Sequence, residues 1–143
     1  MRIVTTHKVK WEQPNKGNDP NVIYPSYPTY DKSVKDLMHE LYEDNLLDYN
    51  FVENYELIKD KDINTLTKEE ILTYLTYIQQ NEKFCDGFWE KYIEDGTLEK
   101  LTVRYNILDD KQIFECPNCK SKKAYDKSDK KIQCDKCGHK YKI

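Results

Sequence analysis

Four of the chain's five cysteines fall near its end, in the run CPNCKSKKAYDKSDKKIQCDKCGHKYKI. Cys116, Cys119, Cys134 and Cys137 form the spacing C-x2-C-x14-C-x2-C. Two cysteines separated by two residues can turn both sulfurs onto one cation. Two such knuckles supply four thiolates and close a tetrahedral shell. The loop between them is about one residue shorter than the usual range for such sites. Pro117 stiffens the first knuckle, and Gly138 follows the second, where the chain must turn sharply beside the sulfurs. The stretch between the knuckles, KKAYDKSDKKIQ, reads as a hairpin turning near Lys127–Asp129, which is the pattern of a zinc ribbon. A closed four-cysteine site without a redox motif predicts one structural Zn2+, with no open position for water or substrate. Its task is folding, because about thirty residues bury too little surface to fold alone. His139 lies two residues past Cys137 and is read as a neighbour of the site or as free.

Lysines surround this site. Lysine without arginine attracts phosphate but does not favour bidentate reading of bases. Lys122, Lys123, Lys130, Lys131 and Lys140 are the candidate contacts to nucleic acid or a partner. Tyr125 and Tyr141 are the rings that could stack on bases. The simpler reading makes the ribbon a clasp only.

The fifth cysteine lies in NEKFCDGFWEKYIEDG. Glu82, Cys85 and Asp86 would be the residues of an enzyme, if there is one. A nucleophilic cysteine needs a base or cation beside it, and the chain's histidines are His7, His39 and His139. Cys85, Phe88, Trp89 and Tyr92 share a helical face, so a buried cysteine among aromatic rings is the expectation. Glu82, Asp86, Glu90 and Glu94 recur at helical spacing and read as a solvated face. The chain is therefore expected not to be an enzyme.

Charge divides the chain. The total is −3, yet residues 1–110 hold 13 Lys+Arg against 22 Asp+Glu, a balance of −9. Residues 111–143 hold 10 Lys against 4 Asp+Glu, a balance of +6. Four thiolates around a divalent ion would bring that tail near +4. An acidic body joined to a basic ribbon suits docking on a protein or on a protein–nucleic acid complex. No stretch is apolar enough to span a membrane. The opening MRIVTTHKVKWEQ alternates apolar and polar residues and lacks a secretory core. A cytoplasmic protein is expected, where paired cysteines point to metal before disulfides.

The elements that must hold these residues are mainly helices. Residues 1–30 read as an extended arm with one strand near Ile3, Val9 and Trp11, a loop at PNKGNDPN, and a Tyr/Pro strip, YPSYPTY, packing along its own domain. Residues 31–110 read as an acidic helical domain. Ser33 and Asp36 resemble a capping box, followed by Val34, Leu37, Met38 and Leu41 at helical spacing. Asn50 caps a weaker helix with Phe51, Tyr55 and Ile58 on one side. Thr67 and Glu70 form a second box before Ile71, Tyr74, Leu75 and Ile78. A fourth helix is expected from Asp86 to Glu94, stopping at Gly96. Thr97 caps a fifth, with Leu98, Leu101, Tyr105 and Leu108 inward. Short links between amphipathic helices predict a small bundle, and residues 111–143 follow as the zinc ribbon. No internal repeat is visible.

The blocks YPTYDKSVKDLMHELYEDNLL and LTKEEILTYLTYIQQNEKFCDGFWEKYIEDGTLEKL carry a resemblance. Leu41, Tyr42 and Glu43, then Leu75 and Thr76, then Phe84, Cys85, Asp86 and Gly87, then Glu94, Asp95 and Gly96 match the motif order of a bacterial domain of unknown function, number six-five-zero-eight. The similarity covers about residues 24–108 and leaves the ribbon as an added module. Arginines of the family's block appear here as Gln79 or Gln80 and Lys83, and Phe88 stands where the family often has histidine. The resemblance implies a small helical domain and no particular chemistry. Together these observations predict a non-enzymatic zinc-binding interaction protein, a regulator or inhibitor of a nucleic-acid-binding enzyme of phage or mobile-element type. Nucleic-acid binding by the ribbon is the alternative.

Overall fold

A computed structural model of the chain describes residues 1–13 and 26–142. The PNKGNDPN loop and Tyr24 and Pro25 of the Tyr/Pro strip lie outside the described residues. Five helices make up the body: α1 (Lys32–Glu43), α2 (Phe51–Ile58), α3 (Lys68–Glu82), α4 (Phe88–Glu94) and α5 (Thr97–Leu108). Before them, β1 (Lys10–Glu12) pairs antiparallel with β2 (Tyr27–Thr29), with Trp11 opposite Pro28. After them come β3 (Gln112–Glu115), β4 (Lys122–Tyr125), β5 (Lys131–Gln133) and β6 (Lys140–Lys142). The fold is mainly α, a small helical body followed by a zinc-ribbon-like module. No described helix is long and apolar enough to cross a membrane.

The helical periods converge on one core. Val34, Leu37 and Leu41 of α1 meet Ile71, Leu75 and Ile78 of α3, Trp89 and Ile93 of α4, and Leu98 and Leu101 of α5. Ile58 is the one buried residue of α2, so Phe51 and Tyr55 stay half-buried at the surface. Leu108, expected inward, is exposed at the end of α5. Val4 reaches the same core from the N-terminal segment, and its N–H donates to Thr102 Oγ1 at 3.2 Å. Asn106, also buried, donates to the Met1 carbonyl at 2.9 Å. Such a contact joins residues about a hundred positions apart, and no local pattern announces it.

Helix ends follow local chemistry with four differences from expectation. The α3 box forms as read: Glu70 N–H donates to Thr67 Oγ1, and Thr67 N–H to the Glu70 carboxylate. At α1 the cap is Asp31, whose carboxylate accepts from Ser33 N–H at 3.0 Å. Ser33 already lies inside the helix. At α2 the Asn50 side chain caps nothing, and Asp48 accepts from Asn50 N–H instead. The fourth helix begins at Phe88, not at Asp86, because Gly87 takes a left-handed φ of +90° that breaks the helix before it. Thr97, expected as the cap of α5, is instead its first residue: Gly96 takes the cap position, and Asp95 Oδ1 accepts the Thr97 N–H at 2.9 Å.

Candidate metal centre

Each C-x-x-C pair is the turn of its own hairpin. β3 and β4 pair around the first knuckle, with Glu115 opposite Lys122, and β5 and β6 around the second, with Gln133 opposite Lys140. The stretch KKAYDKSDKKIQ is therefore not a hairpin. Its two strands belong to different pairs and Asp126–Asp129 merely links them. The physical reason is that a knuckle already reverses the chain, so the strands that flank it are brought into register first. The two knuckles repeat each other, Cys134 standing 18 residues after Cys116. Cys116 N–H donates to the Ser121 carbonyl and Lys120 N–H to the Cys116 carbonyl, both at 2.8 Å. In the second copy, Cys134 N–H donates to the His139 carbonyl at 2.7 Å and Gly138 N–H to the Cys134 carbonyl at 2.9 Å. This short repeat was not visible in the residue types.

The turn requires a left-handed residue. Gly138 supplies it at φ +77°. In the first knuckle the equivalent residue is Lys120, at φ +64°. A side chain there costs about 1 kcal/mol.

All four ligand atoms lie within 4.8 Å of one another. Cys119 and Cys134 sulfurs are 3.3 Å apart, and those of Cys116 and Cys137 are 3.6 Å apart. A tetrahedron of sulfurs about 2.3 Å from one ion has edges of about 3.8 Å, so the set fits a single metal ion. Cys116 and Cys134 are buried. The Ser121 hydroxyl lies 3.1 Å from both Cys119 and Cys134 sulfurs, and the Tyr141 hydroxyl 3.2 Å from Cys116. Burial works against thiolate at Cys134, but the Cys137 N–H, the Ser121 hydroxyl and the Lys136 N–H outweigh it and push that thiol down to about 5. At Cys116 burial is likewise overcome, chiefly by the Tyr141 hydroxyl, and the pKa falls. Cys137 goes the other way: the His139 N–H and Asn118 side chain favour its thiolate, yet burial and the neighbouring Cys134 and Cys116 sulfurs raise it. Four thiols this close ionise together only around a cation. Ser121 has no signature in the spacing; its role follows from the knuckle fold alone.

The candidate contact residues divide into two sets. Lys122 donates to Glu99 of α5 at 2.8 Å, and Lys123 to Asp135 at 3.2 Å. Tyr125 donates its hydroxyl to Gln112 at 2.7 Å, and Tyr141 packs against Phe114 over the metal site. These four face the protein itself. Lys130, Lys131 and Lys140 are exposed. Across the second hairpin Lys131 stands directly opposite Lys142, a like-charge pair that weakens the strands it joins.

Among the described residues no hydrogen bond joins the side chains of Glu82, Cys85 and Asp86. Cys85 is exposed, not buried among rings as its spacing suggested, because it lies before α4 begins and off the face that carries Trp89 and Tyr92 inward. The Glu82 carboxylate accepts the N–H groups of Gly87 at 2.8 Å and Phe88 at 3.0 Å, and the Tyr30 hydroxyl. Burial, then Glu82, raises the Tyr30 pKa well above its usual value. Glu82 thus anchors the entry to α4. Gly87 lies under the Trp11 ring, so close that a Cβ there would sit 2.5 Å from a ring carbon.

These are the positions of the FCDG motif, and the family described as a family of unknown function (DUF6508) matches residues 4–110. The chain belongs to that family. The DUF6508 match begins well before residue 24, which agrees with Val4 packing in the core, and it stops where the ribbon begins. No curated protein and no solved structure matches the chain.

Proposed function

We propose that this DUF6508 member is a non-enzymatic interaction protein, with one structural Zn2+ in its ribbon, that docks on a protein partner through α2 and α3. The observation that carries this reading is an apolar groove of about 290 Å3 between those helices. Val52, Tyr55, Tyr77 and Phe84 line it. Phe84 is 89% exposed and Val52 67% exposed, and Tyr55 stacks on Tyr77 at 3.6 Å. Solvent-facing rings over a preformed groove suit an apolar segment of another chain. Glu56 on its wall and the acidic balance of residues 1–110 favour a segment with basic flanks. The non-enzymatic reading is supported by Glu82 being taken up by backbone N–H groups and Cys85 having no histidine partner among the described residues. Zinc is supported by four thiolate donors in a closed set.

The test is a pull-down from nuclease-treated host lysate with the full chain as bait, beside Val52→Asp and Phe84→Asp. Both residues are exposed, so both variants should fold. A protein retained in stoichiometric amount by the wild type and lost with both variants is the expected result. The same proteins on all three baits would refute the groove. A second reading, nucleic-acid binding by the ribbon, is favoured by the Lys131–Lys142 face, and loss of every partner on nuclease treatment would select it.

A further inference from the structure

A second cavity, of about 330 Å3, lies where the ribbon meets the helical body. Its walls come from four separate segments: the N-terminal stretch, the start of α1, and both knuckles. Six cations line it: Arg2, Lys32, Lys120, Lys122, Lys123 and Lys136. Asp31 and Asp135 are the carboxylates among its lining residues. Four thiolates around a divalent ion would leave two further negative charges beside Cys119, and outside the lining Asp36 pairs with Arg2 and Lys32, and Glu99 with Lys122.

The carboxylates present are already shared. Asp135 takes both Arg2, at 2.7 Å, and Lys123, at 3.2 Å. Asp31 is held below the usual carboxylate range; burial opposes this, but the Ser33 hydroxyl and N–H, and then the charges of Lys136 and Arg2, prevail. Among the described residues Lys120 and Lys136 have no carboxylate partner. Lys120 is also the residue that stands, at positive φ, where the second knuckle has glycine. Backbone strain held at a site facing a cavity points to a role for the side chain that causes it.

We propose that this cavity binds a phosphoryl group, with Lys120 and Lys136 as its direct ligands and Arg2 and Lys32 supplying the surrounding positive field. A phosphoryl group carries more charge than a carboxylate and several acceptor oxygens, which matches cations arriving from several sides. Among the described residues no aromatic ring lines the cavity, so recognition is by charge and not by base stacking. The group can arrive on a free polyphosphate or on the phosphodiester of a strand. This site is separate from the α2–α3 groove and stands whether or not that groove binds a protein.

The experiment is titration of the full, zinc-loaded chain with inorganic pyrophosphate and with a single-stranded oligothymidylate, followed by backbone amide shifts. Lys120→Gly, Lys136→Ser and the control pair Lys131→Ala/Lys142→Ala are titrated alongside. Shifts at Lys120, Ser33 and Lys136, weakened tenfold or more in Lys120→Gly and in Lys136→Ser but not in the control, are expected. Lys120→Gly should also raise the melting temperature, since it removes the strained backbone; a loss of binding there cannot be a loss of fold. Tighter binding of pyrophosphate would identify a free ligand, and tighter binding of the oligonucleotide at the same signals a strand. Absence of cavity shifts with both probes, or binding lost only in the control pair, would overturn the proposal.

Discussion

Asp48 joins two helices through one carboxylate. It accepts from Asn50 N–H at 2.8 Å, Asn54 Nδ2 at 2.9 Å and Thr73 Oγ1 at 2.6 Å. Its own N–H donates to Thr76 Oγ1 at 2.9 Å. The start of α2 is thereby tied to the buried threonines of α3. Burial alone would raise this carboxyl, but the Asn54, Thr73 and Asn50 donors hold it below the usual carboxylate range. A depressed pKa stabilises the fold above the unfolded value of about 3.9, and that stabilisation is lost as pH falls through the folded value. Asp48→Ala should cost about 2 kcal/mol at neutral pH, measured by urea unfolding. The gap between wild type and variant should narrow as the acid range is entered. A gap that stays constant down to strongly acidic pH would mean that the carboxylate's charge is not what matters.

α4 is seven residues long and would not hold its own start. Three residues outside it do that. Glu82 at the end of α3 takes the N–H groups of Gly87 and Phe88, Tyr30 donates to the same carboxylate, and Trp11 of β1 covers Gly87 while its Nε1 donates to Glu90 at 2.7 Å. The FCDG motif thus has a structural purpose: a left-handed glycine lets the ring close over the junction. Gly87→Ala should destabilise the chain by about 2 kcal/mol or more, from backbone strain plus overlap with the ring. Thermal unfolding of Gly87→Ala against the Trp11→Ala, Gly87→Ala double variant separates the two, because only the overlap disappears with the ring. Equal losses on the two backgrounds would leave backbone strain as the whole effect.

Across the whole molecule a few ion pairs join the basic ribbon to the acidic body. Lys122 meets Glu99, which also holds His7 at 2.6 Å, Arg2 meets Asp135, and Lys127 meets Asp110 at 3.1 Å. Each is an at least partly exposed pair worth about 0–1 kcal/mol, so together they orient the ribbon more than they stabilise it. The metal site and the helical core are separate sources of stability. A strong chelator at neutral pH should therefore abolish the amide dispersion of β3 to β6 while leaving the helical far-ultraviolet signal, with a fall of a few degrees in melting temperature. Loss of the helical signal together with the metal would show that the body depends on the ribbon to fold. The docked arrangement also takes up part of the body's negative charge, which is why the functional reading rests on the apolar α2–α3 groove rather than on charge mimicry.

What could be read along the chain is what depends on near neighbours. Metal knuckles, the Thr67–Glu70 box and the buried stripes of α1, α3 and α5 are set by residues two to seven positions apart, where coordination and hydrogen-bond geometry leave a spacing signature. The family motif was legible for the same reason, though not its purpose. Folding in three dimensions decided the rest. It buried Ile3 and Val4, exposed Cys85, paired β3 with β4 in place of β4 with β5, and brought Lys120 and Lys136 to one cavity with Arg2. Burial, strand partnership and charge pairing depend on which distant surfaces meet once the core closes, and a Lys in a left-handed turn looks like any other Lys until its backbone is seen.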